Sequence, residues 1–588
     1  MISHAPAEVV LQGVPGAPGR ALGPVLRYQA PAASTGGETI AADQEAIVAE
    51  QARVSLALAA AHAELLALAE EVRATIGPEE AGIFEAQAAM SMDPILGESA
   101  CEMVEQKLLG AGAAIVAAAE EQAAILEALD NEYLRERAAD LRDVGRRAAG
   151  QARGETPAPG LSRLERSAIV VAHDIAPTET VRLDKKHVLG IALLQGGPTS
   201  HAAIVAKALG VPLVCGLGSF PDADGATVLL DGDNGQVVLY PGAGRLAEYS
   251  RWSAVRQQAI TRRSGLRDLP AETVDGTRVR LVANAGSVAE TEDAAEHGAE
   301  GIGLLRTEFL FLDNEPDEDE QFTAYSRIYT AMQGREVVVR TMDLGGDKPP
   351  PYLDFGNEAN PFLGWRGLRV ALDRPDMLRA QVRALLRAGV GRSVHLMFPM
   401  VSTLDEFRRA RDVVRDVQQK LSSNGIPAAD EVMTGIMVEV PAAALMVGAF
   451  AREADFFSIG TNDLTQYTMA ADRGAARVAH LYSPVQPAVL RLIGMTVEAA
   501  HAEGRWVGIC GEAAGNPAWA GLWLGMGIDE LSMTAGAIPA IKEIICSMRL
   551  TEARDVAREA LTATLLHEVE EVLHSAQAAS LQKGSVKW

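Results

Sequence analysis

Residues 196–210 read GGPTSHAAIVAKALG, a glycine-rich turn that leads into a short amphipathic helix at His201. Thr199 or Ser200 can cap this helix, and Gly210 can end it in a left-handed conformation. Because backbone N–H groups at a helix start favour an anion and disfavour imidazolium, we expect His201 to be a neutral nucleophile that accepts a phosphoryl group. The alternative is a capping turn whose histidine only satisfies a hydrogen bond, since short motifs also arise without function.

An α/β unit surrounds this turn. Alternating helix and strand signals run from residue 167 to 240, and the opening strands near residues 9–28 complete the unit. The predicted buried strands are short apolar runs at 168–172, 189–194, 212–215 and 227–230.

A helical segment interrupts this unit. Residues 40–152 are rich in Ala, Leu and Glu at helical spacing, with breaks at Gly77-Pro78 and at residues 92–94. We therefore predict an all-helical bundle inserted into the α/β unit, which itself comprises residues 1–39 and 153–242. A helix within residues 243–270 links this part to the remainder.

The second half of the chain predicts a (β/α)8 TIM barrel over residues 271–588. Its evidence is a series of eight apolar runs separated by helical stretches. The runs lie at 279–282, 301–305, 337–339, 394–398, 435–438, 456–459, 507–509 and 530–532.

Reactive residues follow these runs at their carboxyl ends, the face on which barrel enzymes build their active sites. Taken singly, each of them reads best as a solvated loop charge or a packed thiol, but the set as a whole argues for a site. Its members are Arg306, Arg340, Glu439, Asn462, Asp463 and Cys510.

The residue types at this rim suit a small phosphate ester. Two carboxylates, Glu439 and Asp463, suit Mg²⁺, which completes its octahedron with water and substrate oxygens. Cys510 can protonate the enolate that an enol phosphate leaves after losing its phosphoryl group. Paired guanidinium N–H groups grip phosphate and carboxylate, and four arginines are available for this: Arg306, Arg340, Arg366 and Arg473.

Composition excludes several other classes of function. The chain has 588 residues, is 48% hydrophobic and carries a net charge of −25, which disfavours nucleic acid and anionic membranes as partners. We find no apolar run long enough to cross a bilayer and no signal peptide at the start, and therefore expect a cytoplasmic protein without membrane insertion. The four cysteines lack Cys-x-x-Cys spacing, so neither a disulfide framework nor a zinc site is predicted.

Several longer segments resemble the enzyme I family of the bacterial phosphoenolpyruvate:sugar phosphotransferase system. The match covers nearly the whole chain and is carried by segments of low degeneracy. These are GGPTSH at 196–201, GIGLLRTEFLF at 301–311, RTMDLGGDK at 340–348, VEVPAAA at 438–444, SIGTNDLTQY at 458–467 and CGE at 510–512.

The resemblance implies a role for each matching residue. It makes His201 the phosphorylated histidine, Cys510 the proton donor, and Glu439 and Asp463 the Mg²⁺ ligands. The residues that it implies for binding phosphoenolpyruvate are Arg306, Arg340, Arg366, Asn462, Asp463 and Arg473. Many family members have arginine where Pro198 and Lys207 stand here and threonine where Ala176 stands.

The resemblance also implies partners. In enzyme I a helical domain in the place of residues 40–152 docks the phosphocarrier protein HPr, and residues 134–145 resemble its late helix. The implied function is transfer of phosphate from phosphoenolpyruvate to His201 and then to HPr, with release of pyruvate, by a homodimer formed through the barrel. A phosphoenolpyruvate synthase or pyruvate phosphate dikinase would need an additional ATP-binding domain. A non-catalytic regulatory binder is the remaining alternative.

Overall fold

The computed structural model describes residues 7–28, 39–75, 78–128, 132–154, 161, 164, 166–175, 177–198, 200–312, 314–346, 349–472, 475 and 477–582. The chain divides into two compact units, residues 1–256 and 257–588. The predicted α/β, helical and barrel classes are all confirmed. The predicted domain boundaries stay predictions.

The first unit contains an eight-stranded sheet in the order β1-β8-β7-β3-β4-β5-β6-β2. Its central strands β3 to β6 run parallel, and β1, β2 and β7 pair antiparallel with their neighbours. The opening strands thus complete the sheet, as predicted. The strands are β1 Val9–Gln12, β2 Val14–Ala17, β3 Arg20–Tyr28, β4 Ala168–Ala172, β5 Val188–Leu193, β6 Leu213–Cys215, β7 Thr227–Asp231 and β8 Gln236–Leu239.

In the described part of the segment between β3 and β4, five helices form the inserted bundle. Asp93 caps α3, where its side chain accepts a hydrogen bond from the Ile95 N–H (2.9 Å) and Pro94 occupies the first turn. The helical pattern of residues 40–152 has a further break that was not predicted, because Leu108 adopts a left-handed conformation (φ 51°) and Gly110 caps α4. The helices are α1 Gln44–Thr75, α2 Pro78–Ser91, α3 Pro94–Lys107, α4 Ala111–Glu127 and α5 Glu132–Arg153.

Helix α1 corrects one expectation from the sequence. Residues 44–73 are long and apolar enough to cross a membrane by length and composition alone, and an 18-residue window within them has a mean hydropathy of 1.4. In the structure this helix packs Val54, Leu65, Leu68 and Val72 into the core of the bundle. Core helices of globular proteins satisfy the same criterion, so α1 is weak evidence for a membrane span.

Three further helices lie outside the bundle, between β4 and the barrel. The predicted helix at 243–264 is present as α8, which crosses the division between the two units. These helices are α6 Pro177–Val181, α7 His201–Leu209 and α8 Ala243–Leu266.

The second unit is a closed, all-parallel barrel of eight strands. Each strand overlaps its predicted apolar run, because both faces of a barrel strand are buried. The strands are β9 Arg280–Ala285, β10 Gly301–Leu305, β11 Glu336–Arg340, β12 Ser393–Phe398, β13 Glu431–Val438, β14 Phe456–Ile459, β15 Trp506–Ile509 and β16 Glu530–Met533.

Helices and short 3-10 turns surround the barrel. Asp317 and Glu320 form a capping box at the start of α10, and Thr403 and Glu406 form another at the start of α13. The helices are α9 Val288–Glu296, α10 Glu318–Ala331, α11 Leu368–Asp373, α12 Pro375–Ala388, α13 Leu404–Ser423, α14 Pro441–Leu445, α15 Val447–Phe450, α16 Thr461–Met469, α17 Pro487–Ala502, α18 Ala520–Gly525, α19 Ile538–Ser547, α20 Leu550–Thr562 and α21 Leu566–Gln582.

The amino end of the barrel is closed by a buried charged cluster. Arg280 forms ion pairs with Glu336 (3.0 Å) and Glu530 (3.2 Å), and its guanidinium lies over the ring of Trp506. Burial raises the pKa of Glu530 to about 7. Charges at this end of a TIM barrel serve stability, so the chemistry is expected at the opposite rim.

Candidate functional site

His201 is the first residue of α7, directly after the glycine-rich turn that follows β5. Ser200 caps the helix with its side chain, which accepts a hydrogen bond from the Ala203 N–H at 3.4 Å, and Gly210 ends it at φ +71°. Both features were predicted. Thr199 and Ala176 lie outside the described residues, and Pro198 and Lys207 are exposed.

The ring of His201 contacts a buried carboxylate of the helical bundle. Its Nδ1 lies 3.1 Å from Oδ1 of Asp140 on α5, and the Asp140 side chain is only 2% exposed. Gln87 donates a hydrogen bond to the same oxygen (3.0 Å), and Arg137 lies 3.8 Å from the other. Because an ionised carboxylate only accepts hydrogen bonds, Nδ1 carries the hydrogen in this contact, and in the neutral ring the lone pair is then on Nε2.

Asp140 is a site residue that the sequence analysis did not identify. The available signal was an acidic residue among the buried positions of α5, next to Leu141 and close to Val144. Arg137 on the same helix partners only one oxygen of this buried carboxylate, so the other oxygen points to partners elsewhere in the fold, which are His201 and Gln87.

The barrel brings most of the predicted rim residues to the carboxyl ends of its strands. Arg306 follows β10 and is exposed, Arg340 ends β11, and Glu439 follows β13 and is 1% exposed. Asn462 and Asp463 lie in the first turn of α16. The remaining three are Arg366, which is 8% exposed before α11, Cys510, which follows β15 and is 1% exposed, and Arg473, which lies outside the described residues.

Five of the rim side chains form a row of alternating charges. Arg340 lies between Glu308 (3.0 Å) and Asp343 (3.2 Å), and Arg366 lies between Asp343 (3.0 Å) and Asp463 (3.0 Å). Burial alone would make each charge costly, but each charge in the row has an opposite charge beside it. The nearby carboxylates raise the pKa values of both arginines.

Glu308 and Asp343 are further residues that sequence reasoning missed, although both lie in the quoted segments. Tyr467 is a third, and its hydroxyl accepts a hydrogen bond from Arg366 (3.1 Å) and donates one to the Phe362 carbonyl. The sequence offered one indication of all three residues, which is that each comes shortly after a strand whose carboxyl end was already assigned to the rim.

Glu439 lies deeper than the row. Its Oε1 accepts a 2.6 Å hydrogen bond from the backbone N–H of Met400, a residue in the left-handed region at φ 56°. Burial, reinforced by the charges of Asp463 and Asp343, raises the pKa of Glu439 to about 8. The charges of Asp463 and Asp343 therefore repel an ionised Glu439.

These carboxylates fit a divalent cation. A cation beside Glu439 and Asp463 would remove the repulsion that raises the pKa of Glu439, and carboxylate oxygen is the donor that Mg²⁺ prefers. Within the described residues, no three His, Cys, Asp or Glu side chains meet in a way that could hold a metal. Two protein ligands would leave the other coordination positions to substrate and water.

Cys510 follows β15 and packs in the barrel interior against apolar side chains that include Leu304, Met397 and Met437. Its Sγ lies 3.6 Å from the Ile459 carbonyl, and burial raises the pKa of the thiol to about 12. The charges of Glu439, Arg340 and Arg306 also act on this thiol, which places it among the rim residues. A thiol with this pKa is protonated at neutral pH and so has a proton to give.

The loop after β15 is pressed against the start of α16. A Cβ on Gly511 would lie 1.8 Å from Oγ1 of Thr461, so only glycine allows this approach. Asn462 donates a hydrogen bond across the same contact to Glu512 (3.1 Å). The approach holds Cys510 and the Asn462–Asp463 pair on neighbouring loops.

Sequence families of known proteins match most of the chain. Residues 12–137 match the N-terminal domain of PEP-utilising enzymes, residues 164–235 match their mobile domain, and residues 261–550 match their PEP-binding domain. The three matches follow the chain order of the bundle-containing segment, the His201 segment and the barrel.

Two curated relatives and one solved structure illustrate the likeness. The phosphoenolpyruvate-protein phosphotransferase of Staphylococcus carnosus is 41% identical over 526 residues, which are 89% of this chain and 91% of the relative. That of Geobacillus stearothermophilus is 41% identical over 572 residues, 97% and 98% of the two chains. A solution NMR structure of an Enzyme I is 34% identical, covers 42% of this chain and 99% of its own, and has a TM-score of 0.33. On the identity and coverage of the curated relatives, the chain belongs to the family of phosphoenolpyruvate-protein phosphotransferases.

Proposed function

We propose that this chain transfers the phosphoryl group of phosphoenolpyruvate to its own His201 and then to a histidine of HPr, releasing pyruvate. The name shared by its relatives supports this activity. The observation that carries it is the contact between His201 and Asp140, which occupies Nδ1 and leaves Nε2 free to attack phosphorus.

The first step is an in-line displacement. Nε2 of His201 forms a bond to phosphorus, the bond between phosphorus and the enol oxygen breaks, and the enolate of pyruvate leaves. Arg306, Arg340, Arg366, Asn462 and Arg473 are the residues we assign to holding the phosphate and carboxylate, because guanidinium N–H groups match both anions. Only the lone pair of Nε2 forms the new bond, so the hydrogen on Nδ1 stays in place during this step, next to Asp140.

The second step protonates carbon. The Cys510 thiol donates its proton to the methylene carbon of the enolate, giving pyruvate, and the thiolate then recovers a proton from solvent. The pKa of about 12 keeps this thiol protonated before the step and drives its reprotonation afterwards.

Mg²⁺ is the proposed cofactor, with Glu439 and Asp463 as its protein ligands. When bound, it would neutralise charge on the phosphate oxygens of the substrate. We also propose that the bundle, residues 40–152, docks HPr, that the chain forms a homodimer through the barrel, and that it acts in the cytoplasm.

Labelled phosphoenolpyruvate tests the proposal. Incubation with Mg²⁺ should place acid-labile label on the wild-type chain, and HPr should then remove it. His201→Ala should take up no label. A labelled His201→Ala variant, or an unlabelled wild type, would contradict the assignment, and exchange of label with ATP would instead support a synthase-like or dikinase-like enzyme.

A further inference from the structure

The guanidinium of Arg366 is fully engaged by neighbouring side chains at the barrel rim. Nε and Nη2 donate to the two oxygens of Asp343 at 3.1 and 3.0 Å. Nη1 and Nη2 donate to the two oxygens of Asp463 at 3.0 and 3.3 Å, and Nη1 also donates to the Tyr467 hydroxyl at 3.1 Å. Arg366 therefore covers both oxygens of Asp463, and each of its guanidinium nitrogens already donates to a neighbour, so that no N–H group remains for another anion.

This arrangement conflicts with the tasks that the proposed function assigns to the same two residues. Arg366 has to hold an anionic substrate, and Asp463 has to ligate a cation. In the structure each satisfies the other, in a region where the Arg366 side chain is 10% and the Asp463 side chain 16% exposed. Neither is available until their ion pair opens.

We infer that the Arg366–Asp463 ion pair is a latch that metal and substrate open cooperatively, with Asp343 retaining Arg366 while it moves. The inference rests on the proposed function and extends it to the order and coupling of binding. Metal alone would leave one edge of Arg366 unpaired, and substrate alone would leave Asp463 unpaired beside Glu439. Both ligands together replace every charge partner that is lost.

The exchange predicts a specific energetic signature. A buried ion pair that loses one partner is strongly destabilised, so either ligand by itself binds against the cost of opening the latch. Once one ligand has opened it, the second binds without that cost. The coupling is reciprocal: substrate should tighten metal binding by the same factor by which metal tightens substrate binding.

Metal binding in the absence of substrate tests the latch directly. Mn²⁺ binding to the full chain is measured by electron paramagnetic resonance of the free ion, without phosphoenolpyruvate or HPr. We expect Arg366→Gln to bind Mn²⁺ on the order of tenfold more tightly than wild type, because Asp463 is uncovered. Phosphoenolpyruvate should then tighten Mn²⁺ binding in wild type but no longer in Arg366→Gln.

Arg306→Gln is the matched control. It removes the same charge from the same rim, but Arg306 is exposed and forms no ion pair with any residue in the described part of the chain. We expect its affinity for Mn²⁺ to stay within about threefold of wild type, since exposed charges act weakly. Equal tightening in both variants would reduce the effect to general electrostatics and overturn the latch.

Arg366→Lys guards against a folding defect in the glutamine variant. Lysine keeps the charge but cannot bridge two carboxylates with a planar fork, so intermediate tightening is expected. Unchanged or weaker Mn²⁺ binding in folded Arg366→Gln or Arg366→Lys, including no binding at all, overturns the inference. Failure of the proposed function shows separately, as absence of label transfer from phosphoenolpyruvate by the wild-type chain.

Discussion

The His201 turn and the barrel rim solve different problems with different amounts of structure. His201 is 22% exposed, and among the described residues its ring has one side-chain partner, Asp140. The rim row is assembled from residues 308 to 463, and Asp343 at its centre is 3% exposed with two arginine partners. The comparison teaches that a transferable nucleophile needs few neighbours, whereas groups that bind a small anion must first hold one another.

The largest effect should come from removing the nucleophile. His201→Ala should lower phosphoryl transfer to HPr by at least about 10⁴-fold, because no other group forms the phosphoryl bond. Stability should change by less than about 1 kcal/mol, since the ring is partly exposed and has a single partner. Acid-labile label and thermal denaturation measure the two quantities.

His187→Ala is the matched control for this variant. His187 lies in the same α/β unit and pairs with Asp184 at 2.7 Å on the surface, away from the glycine-rich turn. The His187→Ala variant should take up label at the wild-type rate. Loss of transfer in both variants would show that the assay reports the integrity of the unit rather than the nucleophile.

The rim should behave in the opposite way, with function and stability lost together. Arg340→Gln leaves Glu308 and Asp343 without a shared cation, and we expect a loss of about 3–5 kcal/mol in the free energy of unfolding. Arg306→Gln should cost less than about 0.5 kcal/mol, because its charge is exposed. Urea denaturation measures both losses of stability. Equal midpoints for Arg340→Gln and Arg306→Gln would show that the buried rim charge matters no more for stability than the exposed one.

Asp140 tests whether the single partner of His201 matters. Asp140→Asn keeps the shape but removes the acceptor-only carboxylate, so the ring is no longer held with its hydrogen on Nδ1. We expect phosphoryl transfer to slow by about 10- to 100-fold, short of the loss in His201→Ala. Nitrogen-15 NMR of the imidazole reports the tautomer independently of activity.

Asp143→Asn provides the comparison on the same helix. Asp143 accepts a hydrogen bond from Thr178 (3.2 Å) and pairs with Arg146 (3.4 Å), not with His201. The nitrogen-15 spectrum of the His201 imidazole in Asp143→Asn should match that of wild type. If both aspartate variants slow transfer equally with unchanged spectra, the role of Asp140 is structural support of α5.

The smallest effect concerns pH. The pKa of Glu439 is about 8 in the ligand-free fold and about 4.3 in an unfolded chain, so the folded state binds the extra proton between these values. The free energy of unfolding should therefore fall as pH rises through this window, by about 1–3 kcal/mol. In the Glu439→Gln variant the free energy of unfolding should depend less on pH.

Glu530 contributes with the same sign but only up to its own pKa of about 7. The decisive interval is therefore pH 7 to 8, where wild type should still lose stability and Glu439→Gln should not. Thermal melts in metal-free buffer measure this, and parallel curves in that interval would show that Glu439 is not held protonated.

Structural features that depend on residues close together in the sequence were predictable. The cap at Ser200, the end at Gly210 and the eight barrel strands depend on local conformation and burial period, which a sequence displays directly. The sequence pattern correctly placed residues 44–73 in a helical bundle, but the expectation that no apolar run could cross a bilayer was wrong, because hydropathy alone does not distinguish a bundle core from a lipid phase. Roles for the rim residues required family motifs, because spacing alone leaves each one a loop charge.

Partnerships between distant residues were not predictable. Asp140 and His201 are 61 positions apart, and Arg366 and Asp463 are 97 apart. The sequence by itself determined the elements, the histidine turn and the charged residues at the strand ends, since these follow from local conformation and periodicity. Only the tertiary structure decided which charges neutralise one another, because Coulomb interactions depend on distances and burial that closure of the barrel and insertion of the bundle create.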